Sequence, residues 1–214
     1  CLASLFNSCS SKPENGNFRG TELTAKEPAA PFRLTNEMGQ MVSLSDYHGK
    51  VVIITFLYTS CTDICPGITQ DLHKTRTLLG DISKDVDFLA VSVDPEQDSI
   101  DSALQYSNRW GMTDKWDFLV EDRSELSRLW QAYYINPLPP RARESKKLDQ
   151  THSTSSTNAN SVDGLRTQST FISHSSPVFL IDSSRLKRVL FTQPIEPKDL
   201  AHDIKVLANK RKSR

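Results

Sequence analysis

The sequence predicts an α/β fold: a mixed β-sheet flanked by helices, with an N-terminal β-hairpin. Val51–Leu57 and residues 86–93 are runs of mainly β-branched and apolar residues, as in strands covered on both faces. Stretches with helical spacing of apolar residues follow each run. Residues 178–182 and 188–191 then read as strands in close succession, and a closing hairpin makes the sheet mixed.

Residues 1–30 are rich in Ser, Pro, Asn and Gly without periodicity, and they read as a flexible tether. Residues 32–35 and 41–45 alternate apolar with polar around a turn at 36–39, the pattern of a hairpin. Val51–Leu57 should lie centrally in the sheet. From about Cys65, Pro66 suits a first helical turn, Ile68, Leu72, Thr75 and Leu79 share a stripe, and Gly80 closes the helix. After residues 86–93, the segment from Asp94 to Asp98 leads into a helix through Leu104, Tyr106 and Trp110. Ser124 is placed to cap a helix carrying Leu126, Leu129, Trp130 and Tyr133. Residues 137–170 open on Pro137, Pro139 and Pro140, then turn to Ser, Thr and Asn, and they read as an exposed insert. Pro197 starts a last helix with Leu200, Ile204 and Leu207 inward. One domain over 31–208 is expected, with a basic tail at 209–214.

The 214 residues carry 26 Lys and Arg against 26 Asp and Glu, so no global field draws the chain to nucleic acid. No apolar run approaches the roughly 20 residues that span a bilayer. The start at Cys, with apolar residues 2–6, reads as the end of a signal peptide, and Cys9 followed by Ser10 and Ser11 resembles the start of a bacterial lipoprotein. Cys9 or Cys1 is then the lipid acceptor, tethering the domain to the extracytoplasmic face of a bacterial membrane.

Cys61 and Cys65 stand at a strand-to-helix junction. Four apart on a helix, two residues bring their Cβ atoms to about 5–6 Å, so two sulfurs can grip one ion or form a disulfide. A helix N-terminus favours thiolate over thiol, the form that binds metal and attacks disulfides. Two thiolates with at most one imidazole suit Cu(I), whereas structural zinc takes four protein ligands. A third ligand must come from elsewhere in the chain. His48, His73, His152 and His202 read as surface or packing histidines, while His174 lies just before a core strand, where loops present ligands.

These stretches resemble the Sco/SenC family of copper-binding assembly factors for cytochrome c oxidase. The resemblance runs through residues 49–52, 56–66, 92–98, His174 to Ser176, and 179–182, spanning roughly 31–208. It implies a thioredoxin-like fold, with copper held as Cu(I), and Cu(II) admitted, by Cys61, Cys65 and His174. The implied partners are the copper-bearing oxidase subunit and an upstream copper donor. The same sulfurs serve the alternative reading, a thiol-disulfide oxidoreductase acting on that subunit or on other exported proteins. Thr62 replaces the family's common Pro, Ser183 and Ser184 replace a frequent Gly, and the insert is longer than usual; none of these removes a ligand. Pro177 stands where thioredoxin-like redox proteins keep a cis-Pro facing their cysteines, with a plain strand-opening role as the alternative. Asp63, Asp94 and Asp98 are candidates for tuning the site from outside the ligand set, with turn and cap roles as the alternative for Asp94 and Asp98.

Overall fold

The computed structural model describes residues 17–137 and 176–212. Its main sheet is built from β1 (Thr21–Glu22), β4 (Val51–Leu57), β5 (Val86–Ser92), β6 (Asp117–Leu119), β7 (Val178–Ile181) and β8 (Lys187–Phe191), in the order β1-β8-β7-β4-β5-β6. A separate hairpin pairs β2 (Arg33–Thr35) with β3 (Met41–Ser43). The helices are α1 (Ile64–Leu79), α2 (Ile100–Arg109), α3 (Arg123–Ala132) and α4 (Pro197–Lys212). β4, β5 and β6 run parallel, whereas β7 is antiparallel to β4 and β8 antiparallel to β7, which makes the sheet mixed as expected.

The two-faced burial read into β4 is present residue by residue. Val51, Ile53 and Leu57 pack with Ile68 and Leu72 of α1 and Leu200, Ile204 and Leu207 of α4. Val52, Ile54 and Phe56 face the opposite layer, with Leu34 of the hairpin and Leu126, Leu129 and Trp130 of α3. Every β4 residue is buried, so the strand sits between two layers of side chains. Burial of this kind contributes roughly 1.5–3 kcal/mol per large apolar side chain before chain entropy is charged against it.

The N-terminal boundary differs from the tether expected over 1–30. Thr21 and Glu22 pair with Leu190 and Val189 of β8, and Pro28 bridges Leu186. The buried carboxylate of Asp203 on α4 accepts the Arg19 amide at 2.9 Å and the Gly20 amide at 2.9 Å. Gly20 suits that approach, because a Cβ there would come within 2.6 Å of the Phe191 ring. Backbone pairing and one buried acid therefore bind this segment into the fold despite its polar composition.

Smaller differences have local causes. β3 stops at Ser43, before a short 3-10 helix over Leu44–Tyr47, because the Ser43 amide donates to the Asp46 carboxylate at 2.7 Å. α3 begins at Arg123 with Asp122 at its N-cap position, two residues ahead of the cap expected at Ser124. α4 runs on to Lys212, past the boundary expected at 208. Gly80 ends α1 with a φ of 58°, a conformation glycine adopts without steric cost. Most of the insert expected at 137–170, together with Cys1, Cys9, His152 and His174, lies outside the described residues.

Candidate metal centre

β4 delivers the chain to a turn that closes where the Cys61 amide donates to the Tyr58 carbonyl at 3.3 Å. α1 then starts at Ile64, so Cys65 lies in its first turn and Cys61 lies before it. Pro66 follows Cys65 within that turn, where a missing N–H leaves no helical bond unmade. The two cysteines are therefore not stacked on one helical face as their spacing suggested. They meet because the turn folds Cys61 back over the helix end: the Cys65 thiol donates a hydrogen bond to Cys61 Sγ. Both are free and buried, Cys61 at 6% exposure and Cys65 at 1%.

The helix N-terminus acts on the cysteine outside it. The Asp63 and Cys65 amides donate to Cys61 Sγ, and so does the Tyr58 hydroxyl. With the Cys65 thiol as the largest influence, these donors overcome burial and bring Cys61 down from the ordinary 9.0 to about 5. Cys65 moves the other way: serving as donor to Cys61 and being buried both hold it as a thiol, although the Tyr58 amide donates to its sulfur. The donors thus favour the thiolate at Cys61, while Cys65 is held as its proton-bearing neighbour.

The acids expected to tune the site are divided by the structure. Asp98 is buried beneath the turn, where Oδ1 accepts the Thr59 amide at 2.9 Å and the Thr59 hydroxyl at 2.6 Å, while Oδ2 accepts the Ser92 hydroxyl at 2.6 Å. It ties the cysteine turn to the end of β5, and burial raises its carboxyl above the usual range. Asp94 is fully buried; its carbonyl accepts the Gln97 and Asp98 amides at 3.0 and 2.8 Å, and its charge acts on Tyr58. Asp63 is exposed and contributes its backbone N–H to Cys61, with no side-chain cap bond.

Pro177 opens β7 with its carbonyl accepting the Thr55 hydroxyl at 3.1 Å. Among the described residues the cis X-Pro bond is Gln193–Pro194, so Pro177 takes the strand-opening role rather than that of a cis-Pro facing the cysteines. Below Cys65, the Thr69 hydroxyl donates to the Cys65 carbonyl at 2.9 Å and lies 2.8 Å from the Tyr106 hydroxyl. Tyr58, Thr59 and Tyr106 were not singled out from sequence as site residues. Tyr58 and Thr59 stand within three residues of Cys61, which was the available signal.

The described histidines have partners elsewhere. His48 Nδ1 lies 3.3 Å from the Ser45 carbonyl, His73 Nε2 is 3.0 Å from Lys115 Nζ, and His202 Nδ1 is 2.9 Å from Asp203 Oδ1. Burial, then the Lys115 charge, lowers the His73 pKa. Among the described residues no group of three or more His, Cys, Asp or Glu is placed to hold a metal ion. No helix among them is long and apolar enough to cross a membrane.

The SCO1 protein homolog of Bacillus subtilis is 33% identical over 91 residues, covering 42% of this chain and 47% of that protein. The mitochondrial SCO1 homolog of Homo sapiens is 30% identical over 128 residues, covering 56% and 41%. The chain thus spans less than half the length of these two relatives. Among solved structures, copper-bound ScoI of Bradyrhizobium japonicum superimposes with a TM-score of 0.64 at 22% identity, over 85% of this chain and 99% of that one. BsSco, described as a Sco-family cytochrome c oxidase assembly protein with a disulfide switch, gives 0.62 at 21%, over 86% and 94%. These likenesses show a thioredoxin-like fold. The SCO1/SenC family profile matches residues 20–209, from the β1 edge through α4, and the chain belongs to that family.

Proposed function

We propose that this chain is a copper metallochaperone that helps assemble the binuclear copper centre of cytochrome c oxidase. Cys61 and Cys65 hold Cu(I), with His174 as third ligand. The observation that carries the reading is the pair itself: two free, buried sulfurs in hydrogen-bond contact at a helix N-terminus, whose amide donors favour the thiolate at Cys61. Soft thiolates select Cu(I), and a site with only three protein ligands releases its ion by ligand exchange. Copper-bound ScoI structures and the oxidase-assembly role stated for BsSco support it by kinship. Copper is cargo here, taken from an upstream donor and passed to the copper-bearing oxidase subunit. Anaerobic titration of the full chain is expected to give one Cu(I) per protein. His174→Ala is expected to weaken binding by at least about tenfold, the low end of what even outer-shell losses cost. Unchanged affinity in that variant removes His174 from the ligand set.

A specific observation favours thiol-disulfide exchange as a second reading. An anionic Cys61 beside a proton-bearing Cys65 is the pairing of attacking and resolving sulfurs. Cys65→Ser is then expected to trap mixed disulfides with oxidised partner subunits, and recovery of none sets the enzymatic reading aside. The domain is held at the extracytoplasmic face of a bacterial membrane through a lipid on Cys9 or Cys1. Mass spectrometry of membrane-extracted protein is expected to show the acyl mass, lost in Cys9→Ala or in Cys1→Ala; an unmodified wild type ends that assignment.

A further inference from the structure

Thr55 is the one polar side chain of β4, fully buried between Ile54 and Phe56. Side chains alternate along a strand, so Thr55 shares the face of Val51, Ile53 and Leu57, which packs against α1 and α4. A hydroxyl set into such a layer costs free energy unless it is hydrogen-bonded, and valine would fill the same space without that cost. Here the hydroxyl donates to the Pro177 carbonyl at 3.1 Å, 122 residues along the chain. Thr69 and Thr75, also buried, bond carbonyls one turn back in their own helix, at 2.9 and 2.7 Å. Such bonds are the local habit of threonine in a helix, whereas the Thr55 bond ties together two distant segments of the sheet.

The antiparallel pairing of β4 with β7 runs from Val52–Ile181 to Thr55–Val178. Beyond Thr55, Phe56 and Leu57 stay paired with β5 on one side, and β7 has not yet begun on the other. Pro177 has no N–H with which to extend the ladder. The Thr55 hydroxyl reaches one residue past the last pair and takes the Pro177 carbonyl. The two segments that meet at this bond carry the proposed ligands. β4 runs on from Thr55 to Cys61, six residues later, and His174 precedes Pro177 by three. Three residues span at most about 11 Å at full extension, so the place where Pro177 is held bounds the reach of His174.

We propose that Thr55 is a positioning residue for the third copper ligand: its hydroxyl fixes the Pro177 carbonyl to β4 and so sets the point from which His174 is offered to the cysteine pair. The inference rests on the proposed reading of His174 as a ligand. Binding loses free energy to the ordering of any group not already in place, and a chain clamped at Pro177 leaves less to order than one held by the ladder alone.

Full-length wild type is compared with Thr55→Val, Thr55→Ser, His174→Ala and the double variant Thr55→Val/His174→Ala by anaerobic competition for Cu(I) against a chromogenic chelator. Valine keeps the branched shape and suits a strand, so the hydroxyl alone is lost. Thr55→Val is expected to weaken Cu(I) binding about tenfold, the lower end of what outer-shell losses cost. Thr55→Ser keeps the hydroxyl and is expected to bind as wild type does. The double variant is expected to bind no more weakly than His174→Ala, because a clamp on an absent ligand has nothing to place. A merely structural threonine would not show that coupling. Unchanged affinity in Thr55→Val overturns the proposal. Equal weakening in Thr55→Ser does so too, as does a Thr55→Val loss that persists undiminished without His174. His174→Ala at wild-type affinity is a separate failure, which removes the ligand reading and this inference with it. A weakened His174→Ala beside an unmoved Thr55→Val refutes this inference alone.

Discussion

Cys65→Ser is expected to weaken Cu(I) binding by more than about 100-fold, since outer-shell changes alone cost about 10- to 100-fold and this one removes a ligating sulfur. The substitution is gentle to the fold. Serine keeps the small volume and an O–H that can donate to Cys61 Sγ as the thiol does. What it cannot supply is a soft anion, because an alcohol stays protonated where a metal-bound thiol gives up its proton. The asymmetry of the pair adds a second readout. With Cys61 held at about 5 and Cys65 kept as thiol by its bond to Cys61 and by burial, copper uptake near neutral pH should release about one proton. Cys65→Ser should release none. Proton competition at Cys61 begins only as pH falls toward about 5, so affinity should drop more steeply below that point. Competition against a chromogenic Cu(I) chelator, with proton release followed in weak buffer, measures both. A serine variant binding within tenfold of wild type would sink the two-sulfur site.

The features legible in the sequence were those written in side-chain pattern. Val51–Leu57 announced a strand buried on both faces because its apolar run leaves no polar face, and the structure divides it between two cores. The cysteine pair was placed at a strand-to-helix junction by the end of that run and by Pro66. What sequence hid was written in backbone and tertiary contact. β1 is two polar residues whose pairing with β8 is a matter of N–H and C=O, and its anchor, Asp203, lies in a distant helix. β6, at three residues, is too short for a period to register. Helical spacing placed Cys61 and Cys65 together correctly but for the wrong reason, since Cys61 lies outside the helix and reaches its end through a turn pinned by Asp98. Asp98 was named as a candidate; its partners Thr59 and Ser92 were not. Tyr58 is a hydroxyl at the mouth of a strand until folding shows which sulfur it meets.

Glu37→Gln is expected to stabilise the protein above pH 7 and to change it little near pH 4. Glu37 sits in the hairpin turn at 2% exposure, its Oε2 accepting the Phe118 amide of β6 at 2.7 Å. Burial is the main reason its carboxyl rises from the ordinary 4.5 to about 7; bonds from the Phe118 amide and its own amide oppose the rise, and the charges of Asp117 and Asp114 add to it. Asp117 is itself held in place, accepting Asn36 Nδ2 at 2.7 Å and the Tyr47 hydroxyl at 2.8 Å. Arg76, Lys115 and Asp87 line the same cavity. A carboxyl whose folded pKa lies above its unfolded one holds its proton more tightly when folded, so folding is favoured fully below about 4.5 and progressively less as pH rises through about 7. At about 1.4 kcal/mol per pH unit, that interval removes about 3 kcal/mol. Glutamine carries no charge at any of these pH values, and its carbonyl still accepts the Phe118 amide. Urea unfolding of wild type and Glu37→Gln from pH 4 to 8 is expected to show curves that meet at the acid end and part by about 2–3 kcal/mol at pH 8. The effect should survive moderate salt, because desolvation rather than long-range repulsion is its chief source. Parallel curves across the whole range would show that Glu37 is not the group that titrates, and that the hairpin is held on β6 by Asn36, Tyr47 and Asp117 without it.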